Sequence, residues 1–199
     1  MDLDRLQAAE TLHMRQRVTF MVNRYELRLD DGSGREGDLV AFAQQKRVSF
    51  KEQVTFYADQ DKQRALASFR ARNVVDLAAG YDVTDADGAP LGVFRKRFGK
   101  SLLRSTWDLE QPGSVAAKGQ ERSMAVALLR RLWEIVPFVE NIPFMIPYHF
   151  DFTAEDGAGF AVTKKFALRD RYVIKIDDPR LDRRLVIAQA VALDALQGR

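Results

Sequence analysis

The sequence predicts a mainly β protein with some helix: a closed antiparallel β-barrel wrapped around a central hydrophobic helix at its C-terminal end, with one further helix inserted between strands. Three observations carry this. Short alternating runs bounded by turn residues recur from Val18 to Ile176, the spacing of a closed all-β structure. The stretch Leu185 to Leu196, LVIAQAVALDAL, is apolar on nearly every side of a helix, broken only by Gln189 and Asp194, so something must surround it. Being about a dozen residues long, it falls well short of the roughly 20 that a bilayer span needs, and the sheath is therefore the rest of the chain. Closure also removes exposed sheet edges. The competing arrangement is a β-sandwich with this helix on an outer face.

In chain order, residues 1–12 read as a lead-in, and His13 to Arg17 carry the chain into the alternation of Val18 to Val22. Tyr25, Leu27 and Leu29 repeat at spacing two. After the loop Asp30 to Gly37, Val40, Phe42, Val48, Phe50, Val54 and Phe56 share one parity, as half-buried antiparallel strands do. Ala65, Ala67 and Phe69 form a strand with a small inner side. Tyr81 to Phe94 is the clearest hairpin, with Asp85-Ala86-Asp87-Gly88 at its tip. Arg104 to Leu109 is another strand and Val115 to Ala117 a short one. Ser123 to Val136 switches to helical spacing through Ala125, Leu128, Leu129, Leu132 and Val136. Three prolines then bracket irregular chain before Tyr148 to Phe152 resumes alternation. Phe160, Val162, Phe166, Tyr172, Ile174 and Ile176 complete the strands. The central helix spans 179–197, with Asp178 as its N-cap, Pro179 in its first position and Gly198 beyond its end. Arg183 and Arg184 are expected to project from the mouth of the barrel.

The chain has 199 residues, 46% of them hydrophobic and 30% charged, which fits one globular domain over 1–199 with no linker and no repeat. A formal charge of +3 permits anionic partners without requiring them. With no cysteine there is no disulfide framework and no thiolate nucleophile. The charged start of the chain lacks the apolar core of a secretory signal, and a cytoplasmic protein is expected, peripheral to the membrane if it binds lipid.

Several motifs invite chemical readings. Gly32-Ser33-Gly34-Arg35-Glu36-Gly37 spells G-x-G-x-x-G, but it follows Asp30-Asp31 and leads into a strand, so a glycine-rich hairpin loop is expected in place of a nucleotide site. Asp85-Ala86-Asp87-Gly88 imitates part of a calcium loop, yet Val83 and Phe94 stand where its first and twelfth ligands belong. Asp177, Asp178 and Asp182 are better explained by helix capping than by a metal. His149 and Asp151 share a strand face and form a candidate acid–base pair; no serine stands in a nucleophile elbow. No cofactor is expected. The basic run Phe94 to Arg104 is the most suggestive feature. Arg95, Lys96, Arg97, Lys100 and Arg104 interleave with Phe94, Phe98 and Leu102, a composition that suits an anionic membrane surface or headgroup. Nucleic acid is the less favoured partner, and a solvated strand end is the plain alternative.

The chain resembles the LURP-one-related family of the tubby C-terminal-like superfamily, which includes the phospholipid scramblases. The likeness rests on Met14-Arg15-Gln16, on Tyr81 to Gly88 followed by Leu91-Gly92, and on Asp182-Arg183-Arg184 opening the terminal helix. The resemblance implies roughly twelve strands around a central helix; the Ser123 to Val136 helix departs from that pattern. Tubby-like domains bind phosphoinositides, scramblases have a disputed role in lipid movement, and many LURP-one-related proteins have no established activity, so the resemblance supplies a fold more than a function. The expectation is a non-enzymatic module that binds an anionic phospholipid or phosphoinositide headgroup on its outer surface through the five cations. The alternatives are an enzyme with a rim site at His149 and Asp151, or a structural domain that docks partners on the inserted helix.

Overall fold

The computed structural model describes residues 3–18, 22–46, 53–73, 80–97, 105–123, 149–165 and 170–197. After a short helix α1 (Leu3–Gln7) come β1 (Thr11–Val18), β2 (Val22–Asp30), β3 (Glu36–Lys46), β4 (Gln53–Tyr57), β5 (Ala65–Ala71) and β6 (Tyr81–Asp85). They are followed by β7 (Pro90–Arg97), β8 (Thr106–Gln111), β9 (Val115–Glu121), β10 (His149–Ala154), β11 (Gly159–Lys165), β12 (Arg171–Ile176) and helix α2 (Arg183–Gln197). Each strand pairs antiparallel with its neighbours in sequence, and β12 returns to pair with β1, closing a twelve-stranded barrel. The chain between residues 123 and 149, which holds the expected inserted helix, lies outside the described residues except for Ser123.

Period-two alternation decides which side chains line the interior. Leu12 and Met14 of β1, Tyr25 and Leu27 of β2, Tyr172 and Ile174 of β12 are all buried, while Arg15, Arg24 and Arg171 next to them in sequence face outward. β1 begins at Thr11, earlier than expected, because Leu12 and Met14 already alternate with His13 and Arg15. β9 likewise runs on to Glu121, with Ala116, Lys118 and Gln120 outward. Val40 and Phe42 are both buried, but bulges in the β2–β3 pairing on either side of Arg28 change which residues of β3 face the core. There the register turns Ala41 and Ala43 inward opposite Leu27 and Tyr25, and Val40 is buried beside them at the irregularity. A bulge adds a residue and so swaps the faces that follow it.

The barrel axis is filled by α2, whose residues Leu185 to Leu193 are each at most 1% exposed. Every large apolar side chain among them stabilises the fold by on the order of 1.5–3 kcal/mol. Close approach is made possible by small residues. A Cβ placed on Gly92 would come within 2.7 Å of Leu185 Cδ2, and one on Gly119 within 2.3 Å of the Phe152 ring.

The start of α2 differs from the expectation. Asp182 is the cap: its carboxylate accepts from the backbone N–H of Arg184 at 2.8 Å, and its carbonyl from that of Leu185 at 3.0 Å. Asp178, four residues earlier, makes a local turn by accepting from the backbone N–H and guanidinium of Arg180. Two Asp residues thus compete for the cap, and the one followed by Pro179 closes a turn because proline's fixed φ serves a turn as well as a first helical turn.

Arg183 does not project from the mouth. It is 3% exposed, and its guanidinium donates to the carbonyls of Ala9, Leu181, Pro179 and Asp178 at 2.9, 2.8, 3.2 and 3.3 Å. Five donors in a fixed fork suit an arginine to knitting together backbone carbonyls that helical or sheet bonding leaves free. Arg184 turns back onto Asp182.

Candidate functional site

With α2 on the axis, chemistry is confined to the outer faces and the two ends. The end where α2 begins is closed by tight turns, and each glycine-bearing motif singled out in the sequence is one of them. The carboxylate of Asp30 accepts from the N–H groups of Gly32 and Gly34, and that of Asp31 from those of Ser33 and Arg35. The backbone donors from Gly32 to Arg35 are thereby spent on the loop's own acids and are not free to cradle a phosphate. Those bonds, led by the Ser33 hydroxyl, hold the Asp31 carboxyl down to about 2. Asp85 does the same for Asp87 and Ala89, with Gly88 at φ 86° completing the hairpin tip. Among the described residues no group of three or more His, Cys, Asp or Glu is arranged to hold a metal ion.

His149 and Asp151 sit on the outer face of β10 but have separate partners. His149 Nδ1 lies 3.0 Å from Thr163 Oγ1, and Asp151 is held bidentately by Arg122 at 2.7 and 2.5 Å. Burial, reinforced by Arg122, pushes the His149 imidazole below its ordinary value. An acid needed to orient a catalytic base is here engaged by a guanidinium.

The basic run is divided by the strand it lies on. Arg95 and Arg97 point outward from β7, where Glu110 and Asp108 of β8 meet them at 2.9 and 2.5 Å. Lys96, between them, shares the inner face with Phe94, and its amine lies 6.0 Å from the Trp107 ring centroid. Beside Arg97 runs a groove of about 350 Å³ whose charged lining is mixed: Arg97 and Lys118 against Asp108, Glu110 and Glu155. Lys100 and Arg104 lie outside the described residues. The spacing of two that splits this run was present in the sequence; it sends 95 and 97 to one face and 96 to the other.

Lys96 belongs to a wider pattern. At the end of the barrel where α2 finishes, the inner face becomes polar, with Gln16 of β1, Glu121 of β9 and Lys164 of β11 facing inward, and Asp194 of α2 bonded there to Tyr25. Lys164 lies 2.7 Å from Asp170 and 5.6 Å from the centroid of the Tyr172 ring.

A second group of cations was not visible in the sequence because its members are some 150 residues apart. Closure of β1 onto β12 sets Arg15 directly opposite Arg171, which in turn stands opposite Lys165 on β11. One step along, Arg17 stands opposite Arg24 on β2. All five point outward, and four of them are exposed. The acids that reach them are recessed: Glu26 touches Arg17 at 3.3 Å with a side chain only 5% exposed, and Glu36 holds Arg15. Ionic residues on the outer strand faces are the reverse of a membrane-spanning barrel, whose outer band is apolar. No helix among the described residues is long and apolar enough to cross a membrane.

Among curated proteins nothing matches the chain, and nothing matches among solved structures. The family model described as LURP-one-related matches residues 39–194, a span from β3 to the last turns of α2. That span takes in most of the barrel wall and the helix that fills it, and the chain belongs to the LURP-one-related family.

Proposed function

We propose that this barrel is a non-catalytic binding module that takes an anionic ligand, a phospholipid or phosphoinositide headgroup, on its outer surface. The observation that carries the reading is the filled axis: Leu185 to Leu193 occupy the space in which a barrel enzyme or lipid carrier would keep a substrate. What remains for a ligand is the exterior, and cations there supply the attraction.

The residues proposed to engage it are Arg95 and Arg97 on the outer face of β7 and Lys96 at the rim of its inner face, together with Lys100 and Arg104 just beyond. The partner of Arg95 does not prevent this. Exposed ion pairs are worth about 0–1 kcal/mol, so a phosphate with two or more negative charges can displace Glu110 from Arg95. Such a module would act at the cytoplasmic face of a membrane, as a peripheral protein. Co-sedimentation with anionic vesicles tests the reading. Binding by the native chain that is lost when these five residues are neutralised supports it; no vesicle binding at all, or binding unchanged by the neutralisation, overturns it.

A further inference from the structure

We infer that the edge of β3 over residues 36–41 is a docking site for an extended, basic segment of a partner protein, which joins the barrel wall as one more strand. Closure leaves one seam almost unzipped. β3 is matched to β2 along most of its length, whereas it meets β4 only through Phe42 opposite Tyr57 and Ala43 opposite Phe56. β4 ends at Tyr57, and the chain turns away at Ala58, whose N–H donates to the carbonyl of Arg64 across the β4–β5 turn. Residues 36–41 therefore have β2 on one side and no strand on the other.

A strand edge without a neighbour presents a row of N–H and C=O groups to whatever comes alongside. Alternate residues of an antiparallel strand turn both groups to the same side, so part of this stretch aims its donors and acceptors away from β2. Among the described residues those groups find no backbone partner outside the β2 ladder, and the one side chain that reaches them is Arg28, which donates to the carbonyl of Gly37 at 3.1 Å. Beside the edge runs a groove of about 420 Å³. Asp38, Leu39 and Val40 form its β3 wall, Ala58 and Asp59 of the β4–β5 turn the opposite one, and Arg5 of α1 bridges it with a guanidinium 2.9 Å from the Asp38 carboxylate.

Shape and charge select the occupant. The edge is recessed between the turn and α1, so a second barrel, whose own β3 is recessed in the same way, cannot bring the two edges together. A single extended segment can enter, bonding through its main chain and presenting alternate side chains to the groove. Its charge follows from the surroundings. α1, residues 36–41 and the turn 58–64 carry five carboxylates, Asp4, Glu36, Asp38, Asp59 and Asp61, against three cations, Arg5, Lys62 and Arg64. Arg15 of β1 offsets Glu36, which leaves a negative corner on a chain whose formal charge is +3. Asp59 has no ion-pair partner among the described residues, and the Arg5–Asp38 pair is exposed on both sides, at 59% and 68%. An exposed pair is weak, so an incoming lysine or arginine can replace Arg5 on Asp38. In the closed order β3 stands four positions from β7, and this site and the β7 cations can be occupied together.

The probe is a short acetylated and amidated peptide that alternates lysine and valine, offered to the native chain beside two relatives with the same side chains and charge. Each relative is N-methylated at alternate residues, so that one edge of its strand cannot donate. The expected result is that the parent binds, one relative binds as the parent does, and the other is weakened by more than about tenfold, each lost backbone bond costing roughly two- to tenfold in affinity. Saturation with the parent should slow hydrogen exchange at backbone amides within residues 36–41. Arg5→Gln, which removes the competitor for Asp38, should tighten binding, and Asp38→Asn/Asp59→Asn should loosen it, each by up to about fivefold. The peptide arms need no change in the protein and stand if a variant misfolds. No binding by the parent overturns the inference, as does equal binding by all three peptides, which would leave charge attraction alone, or exchange protection that falls elsewhere. A dimer in light scattering with residues 36–41 protected before any peptide is added would make a second copy the occupant and overturn it too. The vesicle test of the β7 reading is unaffected by any of these outcomes.

Discussion

Tyr25 of β2 donates its hydroxyl to the carboxylate of Asp194 of α2 over 2.8 Å. Tyr172 of β12 donates to the other oxygen of the same carboxylate, and Gln16 of β1 donates to the Tyr25 hydroxyl at 3.0 Å. The one acid in the apolar helix is thus the point at which the three strands around the closing seam grip it. Tyr25→Phe and Tyr172→Phe should each lower unfolding free energy by about 1.5–3 kcal/mol, the range for a hydrogen bond to a charged group. Combined, they should cost less than the sum of the two, because either loss already loosens the shared carboxylate. Urea unfolding of the two single variants and the double variant measures this.

The two ends of α2 should respond to pH in opposite directions. At the cap, burial pushes Asp182 up, but the hydrogen bonds from Arg184 and Gln7 outweigh it and leave the carboxyl below its ordinary 3.8. A folded-state value below the unfolded one stabilises above pH 3.8, and that stabilisation disappears as pH falls through the lowered value. At Asp194 burial dominates over the tyrosine bonds and the carboxyl lies above 3.8. Folding there favours the protonated form, so stability declines as pH rises from 3.8 through the raised value. Asp194→Asn should flatten the decline of melting temperature as pH rises above 3.8, and Asp182→Asn the decline as pH falls below it. A profile in which both changes flatten the same limb would contradict the assignment.

Arg183 should be among the least replaceable residues. Arg183→Met keeps the volume of the stem but leaves four backbone carbonyls without their donor and should destabilise by roughly 3 kcal/mol or more. Arg183→Lys should recover only part of the loss, since an ammonium cannot span carbonyls presented to a planar fork. Both are read from denaturant midpoints at constant slope.

Phe152 lies over Gly119 and stacks on Phe160 with ring centroids 4.3 Å apart. Gly119→Ala should therefore destabilise by about 1–3 kcal/mol through overpacking. In a Phe152→Leu background the same change should do less damage, giving a measurable coupling in a double-mutant cycle. Additive effects would mean that the ring does not abut the glycine.

Much of the fold was legible because the signal for a barrel wall is local: alternation marked β2, β4, β6, β7 and β10, and turn residues marked the tips between them. The all-round apolarity of Leu185 to Leu193 correctly placed a helix on the axis. What was misread required a partner. Nothing in Val40-Ala41-Phe42 reveals that pairing with β2 shifts there, and nothing local distinguishes Asp178 from Asp182 as a cap. Arg183 looked solvent-bound because the carbonyls that hold it come from α2's own approach and from Ala9. The opposed cations of β11, β12, β1 and β2 were the least visible of all, since only closure brings positions 15 and 171 together.

That closure also dictates an order of assembly. On a ribosome β1 emerges before the rest of the barrel, yet one of its two neighbours, β12, is made some 150 residues later, and the helix that fills the interior comes later still. Until then the nascent chain holds an open sheet with an unpaired edge and an uncovered apolar face, the state in which long-range β proteins fold slowly and aggregate. Completion of the barrel consequently waits for its last strand and helix, and its rate should depend more on them than on any hairpin made before them.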